Sequence, residues 1–315
     1  MTRIVFMGSP EFAVPTLAML TQNYTVVGVL TQPDKPAGRG QRLTAQPVKQ
    51  WAEQHGLVVL QPRTLRDAAV QTQLAGLKPD LIVVAAFGLL LPKPVLDLPP
   101  RGCVNVHASL LPKYRGAAPI AAAILGGESE TGVTLMQMDE GTDTGLILMQ
   151  AGLPIRPDDT TGTLTTRLAA LGAQMLSETL PRWLAGQITP QPQDHSRATL
   201  APKLDKVDGR LDWSRPAIEL DRRVRAFSPW PGTFTKWNGK LLRILTVQVT
   251  GRPLEKAQGQ GAPGLVVKDA KDIGVVTGDG ILRLVEVQLE GKRAMSASDF
   301  ARGQPAFIGS VLGGG

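Results

Sequence analysis

The sequence predicts an α/β protein with two domains: a mostly parallel sheet with helices on both faces, and then a small β-barrel. Three observations predict this arrangement. Short apolar runs alternate with helical patterns as far as residue 186, which is typical of a parallel sheet covered by helices. Residues 187–206 are rich in Pro, Gln and Thr and lack periodicity, as linkers often are. From residue 207 onward, short β-like runs follow one another with turn residues between them.

The first predicted domain, residues 1–186, contains six short, mostly apolar runs that read as strands, of which Leu81–Ala86 reads as fully buried. These runs are Ile4–Met7, Val26–Leu30, Val58–Leu60, Leu81–Ala86, Cys103–Val106 and Val133–Met138. Helical patterns separate them, and the predicted helices are Glu11–Leu20, one that closes at Trp51–His55, Asp67–Leu77 and Thr160–Leu184. Because strands joined through helices pair in parallel, we predict a Rossmann-like domain.

The second predicted domain, residues 207–315, has one helix and about five short strands. The helix is Ala217–Ala226, and the strands are Thr233–Trp237, Leu241–Val249, Gly264–Val267, Gly274–Thr277 and Ile281–Gln288. Asn238-Gly239 is a strong signal for a hairpin turn. Short strands joined by tight turns indicate an OB-like β-barrel.

The charge of the chain favours a polyanionic partner. The formal net charge is +7, and hydrophobic content of 43% with charged content of 19% is typical of a globular protein. Residues 1–203 contain 17 Lys+Arg and 15 Asp+Glu, whereas residues 204–315 contain 17 and 12, so most of the excess is C-terminal. A solvated basic surface has the same composition, so charge alone leaves both interpretations open.

Cysteine use and hydropathy indicate a cytoplasmic location. The single Cys103 excludes an internal disulfide and fits a reducing compartment. The apolar run at the N-terminus is too short for a signal peptide, and the longest apolar stretch, Leu81–Leu91, is far short of a membrane span. We therefore expect a cytoplasmic protein that is independent of membranes, and we expect it to be a monomer.

An amide, an imidazole and a carboxylate lie near the ends of two predicted strands. Asn105 and His107 are two residues apart, so their side chains share one face of a strand, and Asp143 follows the next strand in a Gly-rich loop. Such groups can stabilise an oxyanion and move protons when an acyl group is transferred to an amine. An Asp in a Gly-Thr-Asp-Thr-Gly loop is also common as a turn residue, so spacing alone leaves a structural role open.

Two strings around these residues resemble the active-site signature of the folate-dependent formyltransferase family nearly residue for residue. The first is 105–119, ending in Arg115-Gly116-Ala117-Ala118-Pro119, and the second is 131–145. The resemblance implies formyl transfer from 10-formyltetrahydrofolate, without a metal. It makes Asn105 a donor to the formyl oxygen, His107 the group that polarises this oxygen and handles protons, and Asp143 the residue that orients His107 and acts in proton removal. Whether Asp143 takes the amine proton directly or through water stays open.

Other chemistries fit the sequence less well. A serine hydrolase built on Ser109, His107 and Asp143 lacks the G-x-S-x-G elbow that exposes a nucleophile. A dinucleotide site would use Gly8-Ser9-Pro10 and Asp34, but Pro10 replaces a needed glycine and no G-x-G-x-x-G occurs. His55, His107 and His195 have no metal-ligand spacing, so we predict no metal.

The family resemblance also implies where the folate donor binds. Ser109-Leu110-Leu111-Pro112 is similar to the tetrahydrofolate-binding segment of the family. A second wall is expected from Phe87, Gly88, Leu89 and Leu90, which follow a buried strand. Loops at the carboxyl ends of parallel strands are the usual ligand sites of open α/β sheets, although Leu89–Leu91 would be read as core without the resemblance.

Two features imply that the acceptor is initiator methionyl-tRNA. The loop 32–42 is basic and Gly/Pro-rich and resembles a family loop that inserts at the tRNA acceptor stem, with Lys35, Arg39 and Arg42 as contacts. The second domain adds Arg222, Arg223 and Arg225 on a predicted helix, where a basic barrel can follow the RNA backbone.

Two alternatives are carried with this prediction. An amino-sugar formyltransferase would share the folate core, but it would bind RNA weakly and would not need the Arg39 loop. A non-catalytic RNA-binding protein would tolerate replacement of Asp143 by Asn, and the intact Asn105 and His107 speak against it.

Overall fold

The computed structural model describes residues 1–37, 42–249, 261–269 and 271–313, which form two compact units. The first unit comprises Met1–Ile120, Ser129–Ile155 and Thr163–Lys203. The second comprises Ala121–Glu128, Arg156–Gly162 and the described residues from Leu204 onward. Within the described ranges, none of the helices combines the length and apolar character that crossing a bilayer requires.

The chain as far as residue 203 contains eleven strands and six helices among its described residues. In chain order they are β1 (Arg3–Gly8), α1 (Val14–Asn23), β2 (Thr25–Leu30), β3 (Lys35–Ala37), β4 (Arg42–Thr44), α2 (Pro47–Gln54), β5 (Val59–Leu60), α3 (Ala68–Gly76), β6 (Leu81–Ala85), α4 (Lys93–Leu96), β7 (Cys103–His107), β8 (Arg115–Gly116), α5 (Pro119–Leu125), β9 (Glu130–Gln137), β10 (Leu146–Pro154), α6 (Thr161–Leu184) and β11 (Leu200–Ala201).

Seven strands of the first unit form one sheet in the order β10-β9-β7-β6-β1-β2-β5. The pairs from β7 to β5 are parallel, whereas β9 and β10 are antiparallel to their neighbours. Every residue of β6 and of β7 is buried, which agrees with the continuous apolar sequence of β6, whereas β7 also buries the polar Asn105 and His107. The predicted Rossmann-like, mostly parallel sheet is therefore confirmed, with β10 as an edge strand that the apolar pattern did not predict.

The predicted helix Glu11–Leu20 begins later than expected. Glu11–Ala13 forms a 3₁₀ turn, and α1 starts at Val14 with Pro15 in its first turn. A proline is well accommodated there, because the first N–H groups of a helix have no intrahelical partner.

Residues 187–203, which the sequence predicts as part of a linker, lie in the first unit. β11 pairs in parallel with β8, with Leu200 opposite Arg115 and Ala201 opposite Gly116. Gln191 also forms a bridge to Ile147 of β10. These contacts explain the difference, since a segment without helical or strand periodicity can still be held by backbone hydrogen bonds.

The second unit is built on an antiparallel sheet. Its elements after residue 203 are α7 (Ala217–Ala226), β12 (Thr233–Trp237), β13 (Lys240–Val249), β14 (Val266–Asp269), β15 (Asp272–Val276), β16 (Ile281–Leu289), β17 (Met295–Ser296) and α8 (Ala297–Gly303). The order is β12-β13-β16-β15-β14, and β17 also pairs with β16. The arrangement is consistent with the predicted OB-like domain, although no pairing among the described strands joins β14 back to β12.

The hairpin turn between β12 and β13 was predicted from its sequence and is confirmed. Asn238 has φ 47° and Gly239 has φ 73°, the left-handed conformations that a tight two-residue turn requires. Nearby, three aromatic rings pack edge to face: the centroids of Trp237, Phe300 and Phe307 are 4.9–5.5 Å apart. This cluster anchors the apolar side of the second unit's sheet.

Candidate active site

The structure brings Asn105, His107 and Asp143 together in the first unit. Asn105 and His107 lie on the same face of β7, and Asp143 lies in the loop that joins β9 to β10. The Asp143 Oδ1 atom is 3.5 Å from Asn105 Nδ2 and 3.6 Å from His107 Nδ1. All three side chains are at least 85% buried, at 7%, 6% and 15% exposure respectively. These distances are long for hydrogen bonds, so the polar atoms converge without saturating one another.

A backbone carbonyl orients the imidazole of His107. The Nε2 atom is 3.1 Å from the Tyr114 oxygen, and a carbonyl can only accept, so Nε2 carries a proton. Nδ1 is the nitrogen that faces Asp143. It becomes a donor only when the ring is protonated on both nitrogens. The Tyr114 carbonyl therefore sets the tautomer of the neutral ring, and it shares with Asp143 the orientation of His107.

The Asp143 carboxylate is anchored by the strand β8. Its Oδ2 atom accepts a hydrogen bond from the Gly116 N–H at 2.8 Å. Gly116 has φ 119°, and a Cβ added to it would lie 2.6 Å from the Ala201 oxygen. A glycine is thus required where β8 meets β11 and presents its N–H to Asp143.

Two buried polar side chains that the sequence pattern does not single out lie behind Asp143. Gln193 is 5% exposed, and its Nε2 donates to the carbonyl oxygens of Asp143 and Gly145 at 2.9 and 2.8 Å. Arg115, which is 7% exposed, donates to Gln193 Oε1 from Nε and Nη2 at 3.2 and 2.6 Å. Arg115 lies within the family string, but Gln193 lies in the predicted linker and carries no sequence signal.

The predicted donor-binding segment 109–112 is partly internal. Ser109 is fully buried, and its hydroxyl donates to the Lys113 oxygen at 2.7 Å, so the side chain stabilises the turn. Leu111 is also buried, and its N–H donates to Thr134 Oγ1. Leu110 and Pro112 are half-buried and are the two residues of this segment that expose appreciable surface.

The second predicted wall, Phe87 to Leu90, presents both anchored and exposed residues. Phe87 is buried, and its carbonyl oxygen accepts from Gln32 Nε2 at 2.9 Å. Leu89 packs against the core cluster that contains Phe87, and so does Met138, the residue that starts the Asp143 loop. Gly88 is exposed, and Leu90 is 67% exposed. An exposed leucine beside a buried aromatic anchor leaves an apolar surface available.

The predicted RNA-binding loop is a short hairpin, β3 paired with β4. Lys35 is exposed, and its Nζ donates to Gln32 Oε1. Arg42 belongs to β4, but its side chain and the whole of Arg39 lie outside the described residues.

The arginines of α7 are largely engaged within the second unit. Arg223 donates twice to the Asp208 oxygen, at 3.1 and 2.7 Å, and lies 5.0 Å over the Phe227 ring. Burial lowers the pKa of Arg223, with the neighbouring Arg215 adding to this effect. Arg225 forms a 2.9 Å ion pair with Asp221. Arg222 lies against Gly127, since a Cβ there would be 2.2 Å from the guanidinium carbon.

Among the described residues, no group of three or more His, Cys, Asp or Glu side chains is placed to hold a metal ion.

The fold and the site are those of a known class of transferases. The family described as "Formyl transferase" matches residues 2–180, and "Formyl transferase, C-terminal domain" matches residues 203–305. The chain belongs to the formyl transferase family. Its relatives include the methionyl-tRNA formyltransferase of Myxococcus xanthus, 51% identical over 98% of this chain and 97% of the relative. The methionyl-tRNA formyltransferase of Roseiflexus castenholzii is 50% identical over 99% of both chains.

Solved structures with a similar fold are more distant in sequence. An N-formyltransferase from Helicobacter canadensis, in complex with folinic acid and dTDP-3-aminofucose, has a TM-score of 0.67 at 19% identity and covers 90% of this chain and 98% of its own. HypX from Aquifex aeolicus, in complex with tetrahydrofolic acid, has a TM-score of 0.61 at 19% identity and covers 98% of this chain and 48% of its own. At this identity the likeness concerns the fold alone.

Proposed function

We propose that this protein transfers the formyl group of 10-formyltetrahydrofolate to the α-amino group of initiator methionyl-tRNA. The product is N-formylmethionyl-tRNA, which serves translation initiation. The observation that carries the chemistry is the convergence of Asn105, His107 and Asp143 in a chain that matches both formyl transferase domains. The acceptor follows from relatives of that name, about half identical over nearly the whole chain.

The three side chains have complementary roles in this proposal. Asn105 Nδ2 donates a hydrogen bond to the formyl oxygen as it becomes an oxyanion, which is worth roughly 10²–10³ in rate for one such donor. His107 donates to the same oxygen from Nδ1 when the ring is charged, because Nε2 is committed to the Tyr114 oxygen. Asp143 faces Nδ1, and its carboxylate takes up the proton that the attacking amine loses.

When bound, the folate would supply the formyl group. As the amine nitrogen bonds to the formyl carbon and the folate nitrogen leaves it, the proton taken up by Asp143 would pass to that leaving nitrogen to give tetrahydrofolate. Residues of this chain fit such a flat, apolar-faced molecule. Leu90 exposes an apolar side chain beside the anchored Phe87, and the loops carrying Phe87 and Met138 pack in one cluster. Leu110 and Pro112 supply the accessible surface of the other wall, and Ser109 and Leu111 shape its turn.

The tRNA is proposed to contact the loop 32–42, through Lys35, Arg39 and Arg42, and the basic second unit. Lys35 is exposed on β3, and the net charge of +7 supports binding of a polyanion. The α7 arginines Arg222, Arg223 and Arg225 are all proposed as RNA contacts, although Arg223 and Arg225 also bind partners within the second unit and the Arg222 guanidinium lies against Gly127. The protein is further proposed to act as a cytoplasmic monomer, which sedimentation and cell fractionation would check.

The test is formylation of methionyl-tRNA by the purified protein, with formylmethionine measured after hydrolysis of the ester. His107→Ala is expected to lower kcat/KM by roughly 10²–10⁴, the range for loss of a positioned acid or base. Arg39→Ala is expected to raise KM for the tRNA and to weaken its salt dependence. His55→Ala is the matched control, because His55 is exposed and stacks on Trp51. A wild-type protein that binds the folate but forms no formylmethionine would contradict the assigned acceptor.

A further inference from the structure

Gln193 holds the backbone of the Asp143 loop through a single amide group. Its Nε2 donates to the Asp143 oxygen at 2.9 Å and to the Gly145 oxygen at 2.8 Å, so both ends of a three-residue segment are tied to one nitrogen. Both acceptors are carbonyls, which fixes the nitrogen of the amide toward the loop. Gln193 is buried, so water does not compete for these bonds.

Arg115 fixes the other end of the same amide. Its Nε and Nη2 atoms donate to Gln193 Oε1 at 3.2 and 2.6 Å, and Nη2 is also 3.1 Å from His195 Nδ1. A guanidinium can only donate, so the Gln193 oxygen must face it. Arg115 is itself part of β8, between Tyr114, which orients His107, and Gly116, which binds the Asp143 carboxylate.

The Asp143 side chain depends on this support. Its backbone has φ 52°, a left-handed conformation that residues with a side chain rarely adopt. Its short side-chain contact is the Gly116 N–H at 2.8 Å, whereas Asn105 and His107 are 3.5 and 3.6 Å away. The direction in which the carboxylate points is therefore set mainly by the backbone that Gln193 holds.

We propose that Gln193 is a positioning residue for Asp143, and that Arg115 sets the orientation of its amide. The proposal rests on the proposed function, in which Asp143 takes the proton of the attacking amine. It assigns to the segment 187–203 a part in catalysis that does not involve contact with the substrate.

Gln193→Glu separates this role from a general structural one. The variant keeps the size of the side chain and an oxygen for Arg115, but it replaces the donating NH₂ by an oxygen that faces two carbonyl oxygens. We expect kcat to fall by about 10–100-fold, with KM for methionyl-tRNA changed by less than about threefold, because a misplaced group loses transition-state contacts and not ground-state binding. The melting temperature should fall by a few degrees, because the new oxygen faces two carbonyl oxygens, while the pairing of the other oxygen with Arg115 offsets part of this cost.

Gln191→Glu is the control, because Gln191 lies in the same segment and is exposed. It should retain wild-type kcat. Should Gln193→Glu fail to fold, Gln193→Met is the second variant. Its side chain is similar in length to that of glutamine but lacks the NH₂ donors, so we expect the same loss of kcat.

Hydrogen exchange at the Gly116 amide gives a readout that does not depend on formyl transfer. This N–H is bonded to Asp143 Oδ2, so its exchange should accelerate about tenfold or more in Gln193→Glu and stay unchanged in Gln191→Glu. Wild-type kcat with a protected Gly116 amide in Gln193→Glu would overturn the proposal. So would a loss of kcat that only parallels a fall in melting temperature, with Gly116 exchange unchanged. A wild-type protein without formyl transfer would instead contradict the proposed function. Exchange at the Gly116 amide would still show whether Gln193 positions the Asp143 carboxylate.

Discussion

Asp34 and Asp143 both follow strands of the first unit's sheet, but their carboxylates have very different partners. Asp34 follows β2, and its two oxygens accept from Lys49 Nζ and from Gln61 Nε2, both at 2.7 Å. Asp143 follows β9, and among the residues that the structure describes its short partner is the Gly116 N–H, which donates to Oδ2. Its Oδ1 has two longer neighbours, at 3.5 and 3.6 Å.

This difference separates a carboxylate that stabilises the fold from one that remains available to a substrate. The hydrogen bond from Lys49, and then that from Gln61, lowers the pKa of Asp34 by favouring its charged form. Both of its oxygens are already used, so Asp34 has little capacity for a ligand. Asp143 keeps one oxygen for an incoming proton, and the surrounding backbone holds that oxygen in place. Such unsaturated polar atoms, gathered in a buried site, are what the proposed chemistry needs.

Asp143→Asn should have the largest effect and gives the sharpest test of the comparison. The amide preserves the shape of the side chain but cannot take up the amine proton, so kcat/KM should fall by roughly 10²–10⁴. The melting temperature should stay close to that of the wild type. Steady-state formylation of methionyl-tRNA measures the effect, with Asp34→Asn as the matched carboxylate-to-amide control. Equal activities for the two variants would remove the distinction between the two aspartates.

Much of the fold and the trio could be predicted because both rest on local sequence. The buried strand β6 is a continuous apolar run, and the turn at Asn238-Gly239 follows from two adjacent residues. Asn105 and His107 share a face because they are two apart on one strand.

The support of the trio could not be predicted, because it is made by residues that are far apart in sequence. Gln193 and Arg115 are separated by 78 positions, and the contact depends on the pairing of β8 with β11. Two-residue strands in a Pro- and Gln-rich segment have no periodic signal. The arginines of α7 show the reverse case. Their clustering in sequence suggested an RNA contact, yet Arg223 and Arg225 bind partners within their own unit.

Gly116→Ala should have the next largest effect, because it disturbs the short partner of Asp143. An added Cβ would lie 2.6 Å from the Ala201 oxygen, and φ 119° is strained for any residue with a side chain. We expect β8 to shift, with kcat lowered about tenfold or more and the free energy of unfolding lowered by about 1–3 kcal/mol. Gly56→Ala is the control, since Gly56 has φ 69° but no atom within 4 Å of the added Cβ. It should lose some stability and retain its activity.

Asp34→Asn should have the smallest effect on activity, within a few-fold, and should reveal itself in the pH dependence of stability. Because its pKa is lowered in the folded protein, Asp34 contributes stability at pH values above its unfolded pKa of about 3.9. This contribution is lost as the pH falls through the lowered folded value. Urea unfolding should therefore show the variant less stable than the wild type at pH 7, with a difference that shrinks as the pH drops below about 4.

Lys49 determines the pH dependence of the same ion pair on the alkaline side. The hydrogen bond to Asp34 is the main cause that raises the pKa of Lys49, so its contribution to stability is lost only as the pH rises above the ordinary pKa of a lysine. A difference between wild type and variant that stays constant from pH 7 to pH 3 would show that the Asp34 carboxylate does not hold this loop through its charge.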